Sequence, residues 1–101
     1  MSSVAVSVAD RDLLAAACFT VQARAEPGVM PRLIELFAKR GLVPELWRSA
    51  KKAGADGAEL TIEIRMSGLG HDTIDYIAAC MRQVASVRTV LAAETHASAI
   101  D

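Results

Sequence analysis

Glu26-Pro27-Gly28-Val29-Met30 is the stretch of this chain best suited to holding a small anion. It follows an alternating segment, Cys18-Phe19-Thr20-Val21-Gln22-Ala23-Arg24. It precedes a run in which Met30, Leu33, Ile34 and Phe37 recur at helical spacing up to Gly41. A strand, a tight Pro-Gly turn and a helix leave backbone N–H groups unpaired at the helix start, where a carboxylate can sit. The same turn also serves simply as a connection, since the N–H cluster exists with or without a ligand. The surrounding side chains are mostly apolar, which suits an aliphatic amino acid better than a charged one. Gly28 would permit close approach of ligand to backbone.

Other reactive residue types carry less. His71-Asp72 could suggest acid–base chemistry, but no nucleophile or second carboxylate is placed with them in the sequence, and a turn histidine beside a helix N-cap is the simpler reading. His96 lies in a polar tail. Cys18 and Cys80 are the only cysteines; with no CxxC or HxxxH spacing they make neither a disulfide framework nor a zinc site. Both read as buried free thiols, and no activating partner for Cys18 is evident. No catalytic residue, metal site or cofactor is therefore expected, and the chain reads as a non-enzyme. Arg32 reads as a solvated helix residue, with a carboxylate or a partner chain as the alternatives. Trp47 is either core or a dimer contact on an edge strand.

The 101 residues favour one domain, and 52% hydrophobic with 23% charged residues is a globular composition. The formal net charge of −1 gives no electrostatic case for nucleic acid or an anionic membrane. No apolar run approaches the roughly 20 residues that span a bilayer. Met1 to Ala9 lacks the basic start of a signal peptide, so a cytoplasmic location is expected.

The elements that would position the turn follow from periodicity. Residues 1–16 form an arm, in which Met1 to Ala9 could supply an extra edge strand. A first strand is expected over Ala16 to Ala25, and a helix over Val29 to Arg40, closed by Gly41 in a left-handed stop. An edge strand containing Pro44 spans Leu42 to Ala50, and Lys51 to Gly57 reads as a loop. Glu59 to Met66 is the clearest strand, with Leu60, Ile62, Ile64 and Met66 facing one way. A second helix, capped by Asp72, runs to about Val84 with Ile74, Ile77, Ala78, Met81 and Val84 on its apolar stripe. Ser86 to Ala92 is the fourth strand, and residues 93–101 form a frayed tail. The order β-α-β-β-α-β predicts an α+β, ferredoxin-like sandwich: a four-stranded antiparallel sheet with two helices on one face. Phe19, Val21, Leu33, Ile34, Phe37, Leu60, Ile62, Ile64, Ile77 and Met81 should form the core. Bare edges and a bare sheet face predict a homodimer or larger.

The stretch from Ala25 to Trp47 resembles the ACT domain, the amino-acid-sensing module of metabolic enzymes. The Glu26-Pro27-Gly28-Val29 turn, Leu36-Phe37 in the helix and Arg40-Gly41 at its end carry the likeness. The closest resemblance is to the short, single-domain regulatory (small) subunit of acetolactate synthase; Cys80 to Val90 also resembles that family's second helix and final strand. The resemblance covers about residues 17–92. It implies a non-catalytic domain that binds a branched-chain amino acid at a dimer interface. Glu26, Pro27, Gly28, Val29 and Met30 of one chain would meet Leu42, Val43 and Pro44 of the next. It also implies a catalytic acetolactate synthase subunit as partner, which would itself carry thiamine diphosphate and FAD. Two positions depart from the family pattern: Ala25 and Val43 stand where an Asn that touches ligand is usual. Those departures favour an assembly module without sensing as the alternative.

Overall fold

The structure is a computed structural model and describes residues 14–96. It runs β1 (Leu14–Arg24), α1 (Val29–Ala38), β2 (Leu46–Gly54), β3 (Gly57–Gly70), α2 (His71–Arg82) and β4 (Val87–His96). The strands form one sheet in the order β2-β3-β1-β4, with every neighbouring pair antiparallel. This is the ferredoxin-like βαββαβ arrangement that the periodicity predicts.

Register decides the faces. Phe19 lies opposite Ile64, Val21 opposite Ile62 and Ala23 opposite Leu60, so these alternate residues share one side of the sheet. Val29, Leu33 and Phe37 of α1 close over them, together with Ile74, Ile77, Ala78 and Met81 of α2, to form one core. Phe19 and Phe37 meet edge to face, centroids 6.1 Å apart at 68°. The opposite face carries Thr20, Gln22, Thr61, Glu63 and Arg65, and no described helix covers it.

Several expectations need correction. Ile34 is 48% exposed and stands outside the core; Val29, fully buried, takes its place. A helical stripe through residues 29, 33 and 37 repeats every four residues, and one through 30, 34 and 37 fits the same apolar sequence nearly as well. Only the location of the sheet chooses between them. The second strand begins at Leu46, not Leu42. Gly41, at φ +69°, ends the helix in the left-handed stop, and the Leu42 N–H turns back to the Phe37 carbonyl at 2.9 Å. Pro44 has no N–H to offer a ladder, and pairing opens with the Glu45 N–H to the Arg65 carbonyl at 2.8 Å.

The expected loop from Lys51 to Gly57 is mostly strand. Lys51 pairs with Leu60 and Lys52 with Glu59, leaving Ala55-Asp56 as a two-residue hairpin turn before Gly57 at φ +114°. The strands also run longer than alternation alone marks. β3 continues to Gly70 and β4 to His96 because β1 begins at Leu14 and supplies both with partners; a register shift between Ala15 and Ala17 accommodates the extra length. The arm's proposed end at residue 16 thus falls inside β1, while its expected edge strand over residues 1–9 lies outside the described residues. Trp47 sits half-buried on edge strand β2, packed against the core from the helix side.

Candidate functional site

The strand-to-helix turn is anchored on three sides. The Arg24 N–H donates to the Ser86 carbonyl at 2.9 Å, and the Ala25 N–H donates to the Ala58 carbonyl at 3.1 Å. The Ser86 hydroxyl, buried behind the turn, donates to a Glu26 carboxylate oxygen. The turn is therefore a fixed platform, tied to the β2–β3 hairpin and to the start of β4.

Its supply of free N–H groups is smaller than the sequence suggests. Val29 donates to the Glu26 carbonyl at 3.1 Å, and Arg32 donates to the Gly28 carbonyl at 3.3 Å. Pro31 has no N–H at all. Gly28 is the N-cap at φ −81°, an ordinary conformation for any residue, and no side chain caps the helix. A Cβ at Gly28 would only touch the Arg32 guanidinium, at 3.6 Å. The side chain of Val29 is buried, so only its backbone faces this region.

What the turn offers instead is a cleft of about 350 Å³ lined by Ala25, Glu26, Pro27, Met30, Ser49, Lys51 and Leu60. Ser49 and Lys51 belong to β2, on the same side of the sheet as Ile62 and Leu60. The cleft joins an apolar wall to one cation, one carboxylate and one hydroxyl. Sequence reasoning missed Ser49 and Lys51: Lys51 fell in the expected loop over residues 51–57, and Ser49 lay in the expected strand with nothing local to link it to the turn. The signal that finds them is the strand alternation carried on through Ala50: Trp47, Ser49 and Lys51 share a face.

Leu42, Val43 and Pro44 lie elsewhere. They follow the far end of α1, whose ten residues span about 15 Å. Leu42 lines a separate cleft of about 380 Å³ with Arg40, Gly68, Leu69, Gly70 and Thr73, and Val43 is 79% exposed. Within one chain these residues do not join the turn. A larger cleft, about 420 Å³, lies beside Cys18, Glu45, Arg65 and Met66. Its two charged groups are already engaged by neighbouring side chains: Glu45 accepts from Ser67, and Arg65 donates to Glu63 at 3.0 Å. The turn cleft is therefore the better ligand candidate, although it is the smaller.

Two charged clusters stand outside the turn. On the bare sheet face, Glu63 accepts from Arg65, from Arg48 at 3.2 Å and from the Cys18 thiol at 3.7 Å. The Arg65 hydrogen bonds hold the Glu63 carboxyl below its usual range and raise Arg65 in return. At the start of α2, the expected N-cap Asp72 lies one residue inside the helix. Gly70 caps it, and Asp72 sits in the first turn, where its charge suits the dipole. His71 Nδ1 lies 2.8 and 3.0 Å from the two carboxylate oxygens of Glu94, and Nε2 lies 3.1 Å from Asp75. The hydrogen bond with Glu94, followed by the Asp75 charge, raises His71 above the ordinary imidazole value.

The fold defines the class of the chain as a ferredoxin-like α+β domain, with a cleft of small-molecule size beside its first strand–turn–helix junction. Residues 10–99 match the ACT-like domain family, and the chain belongs to that family. The match does not extend to the acetolactate synthase small subunit in particular, and no curated protein matches the chain. Among solved structures, an uncharacterized protein from Thermotoga maritima is 15% identical, with a TM-score of 0.61 over 80% of this chain and 96% of that one. The C-terminal domain of the MgtC protein from Mycobacterium tuberculosis is 18% identical, with a TM-score of 0.60 over 87% of this chain and 95% of that one. Both likenesses are of fold. No described helix is long and apolar enough to cross a membrane.

Proposed function

We propose that this ACT-like domain is non-catalytic and binds a small aliphatic amino acid in the cleft beside the Glu26–Met30 turn. The observation that carries the reading is the composition of that cleft. Lys51 offers a cation to a carboxylate, Glu26 offers an anion to an ammonium, and Met30, Pro27 and Leu60 offer an apolar wall. A zwitterion with an aliphatic side chain matches all three. With few free N–H groups at the helix start, Lys51 is the main anchor for the ligand carboxylate. In this proposal a second copy of the chain completes the site, bringing its exposed Val43 with Leu42 and Pro44 over the opening. Binding at such an interface biases the domain between states and so regulates a partner enzyme in the cytoplasm. A branched-chain effector, and the catalytic subunit of acetolactate synthase as that partner, rest on the Ala25–Trp47 resemblance alone.

Thermal unfolding with each amino acid in turn tests the reading. A ligand at one hundred times its Kd stabilises by about 2.7 kcal/mol, a shift of roughly 10–20 °C for a domain of this size. The expected result is a shift with aliphatic amino acids that Lys51→Ala removes while the circular dichroism spectrum stays unchanged. A flat panel with the intact chain refutes ligand sensing. It favours the assembly module instead, which draws on the exposed apolar side chains of Ile34, Val43 and Leu91.

A further inference from the structure

The start of α2 carries a constellation that the turn cleft does not use. His71 and Asp75 lie one helical turn apart on α2, and Glu94 reaches them from β4; ligand-capable atoms of all three fall within 4.8 Å of one another. Nδ1 of His71 faces both oxygens of Glu94, at 2.8 and 3.0 Å. An ionised carboxylate only accepts, so both ring nitrogens favour a proton, and in the neutral ring the shorter, two-oxygen contact with Glu94 keeps it on Nδ1. In the neutral ring this leaves Nε2 as an acceptor, with a carboxylate oxygen of Asp75 3.1 Å away. When the ring is protonated its Nε2–H donates to Asp75; when it is neutral, a divalent cation beside the two atoms can take the proton's place.

We propose that His71 Nε2 and Asp75 hold a divalent first-row metal ion of the zinc type, with Glu94 orienting the imidazole through Nδ1. Distances support the assignment. Zinc bonds of about 2.0–2.2 Å to nitrogen and oxygen place adjacent ligand atoms about 3.0 Å apart at octahedral and about 3.4 Å apart at tetrahedral angles, and the 3.1 Å separation lies between the two. Carboxylate, histidine and metal in sequence is the arrangement by which protein sites fix an imidazole tautomer and raise its basicity. Imidazole with carboxylate oxygen suits zinc and its first-row neighbours rather than calcium or magnesium. The side chains of His71 and Asp75 are 56% and 63% exposed, leaving water free to complete the shell. Asp72, in the same first turn, adds negative charge and offsets the positive end of the helix dipole. With two direct protein ligands the affinity should be modest, and the bound ion would fasten the start of α2 in front of β4.

Titration calorimetry of the full-length chain with zinc chloride tests this, with cobalt(II) absorption as a second probe. The expected result is one zinc per chain. Affinity should be lost in His71→Ala and in Asp75→Asn, and lowered roughly 10–100-fold in Glu94→Gln. Nitrogen-15 spectra of the imidazole should show metal bound at Nε2 with Nδ1 still protonated. Circular dichroism of each variant checks that the domain remains folded. Zinc affinity unchanged by His71→Ala would overturn the proposal. So would no heat with zinc at millimolar concentration, or an imidazole protonated on both nitrogens in the presence of zinc.

Discussion

Leu33 and Ile34 are adjacent, similar in size and both apolar, yet the fold gives them opposite environments. Leu33 is completely buried between α1 and the sheet, whereas Ile34 is 48% exposed. Truncating Leu33 to Ala deletes three carbons from the core and leaves a cavity beneath α1, beside Val29 and Phe37. The expected loss is about 2–5 kcal/mol. Against the roughly 5–15 kcal/mol that holds a domain of this size together, that is a large fraction. Ile34→Ala removes the same number of carbons from a site already half in water. Half of the transfer free energy of three carbons, at about 0.8 kcal/mol each, is roughly 1 kcal/mol; the better helix propensity of Ala offsets about 0.4 of it. The net loss should be below about 1 kcal/mol in an isolated chain. Urea unfolding followed by circular dichroism reads both values, provided the slope m is the same for both variants. Repeating the measurement at two protein concentrations shows whether Ile34 is covered in a dimer, since its loss would then grow with concentration. Equal losses for the two variants, independent of concentration, would refute the placement of α1 on the sheet.

Three further outcomes follow from named contacts. Glu63 titrates in the folded chain below its ordinary value of 4.5, chiefly because Arg65 hydrogen-bonds its charged form. Its contribution is therefore fully present above about pH 4.5 and fades as pH falls through the lower folded value; Glu63→Gln should flatten that acid limb in unfolding midpoints measured across pH. An unchanged acid limb would mean that the Arg48–Glu63–Arg65 cluster adds nothing. Gly57 holds φ +114° at the β2–β3 hairpin, a conformation that a side chain opposes, so Gly57→Ala should cost at least about 1 kcal/mol in thermal unfolding. A neutral or stabilising effect would contradict the hairpin geometry. In sedimentation equilibrium the chain should run as a dimer or larger at tens of micromolar, because edge strands β2 and β4 and one sheet face are uncovered by the described residues; a clean monomer would remove the second copy from the proposed site.

Local pattern was enough for the order of the elements and the covered face of the strands. The alternation of Leu60, Ile62, Ile64 and Met66 committed β3 to one covered side, because side chains along a strand alternate whatever the strand pairs with. Gly41 marked the end of α1 because few residues other than Gly take a positive φ. The Pro27-Gly28 turn, with the helix behind it, marked the region of the cleft. The rest depended on what lay across from each residue. Which of two overlapping stripes α1 buries was decided by the sheet beneath it, which took Val29 and left Met30 and Ile34 on the outside. Lys51 and Lys52 look like loop residues in isolation; they are strand because Leu60 and Glu59 stand opposite to accept their pairing. The extra length of β3 and β4 came from β1, which pairs with both. Glu94 lies 23 residues beyond His71, and no local spacing rule relates them; the antiparallel return of β4 beside β1 brings its carboxylate to 2.8 Å from the ring. Periodicity is a property of a segment and can be read from that segment alone. A binding cleft or a cluster of ligand atoms is a property of pairs distant in sequence, and only the folded chain brings those pairs together.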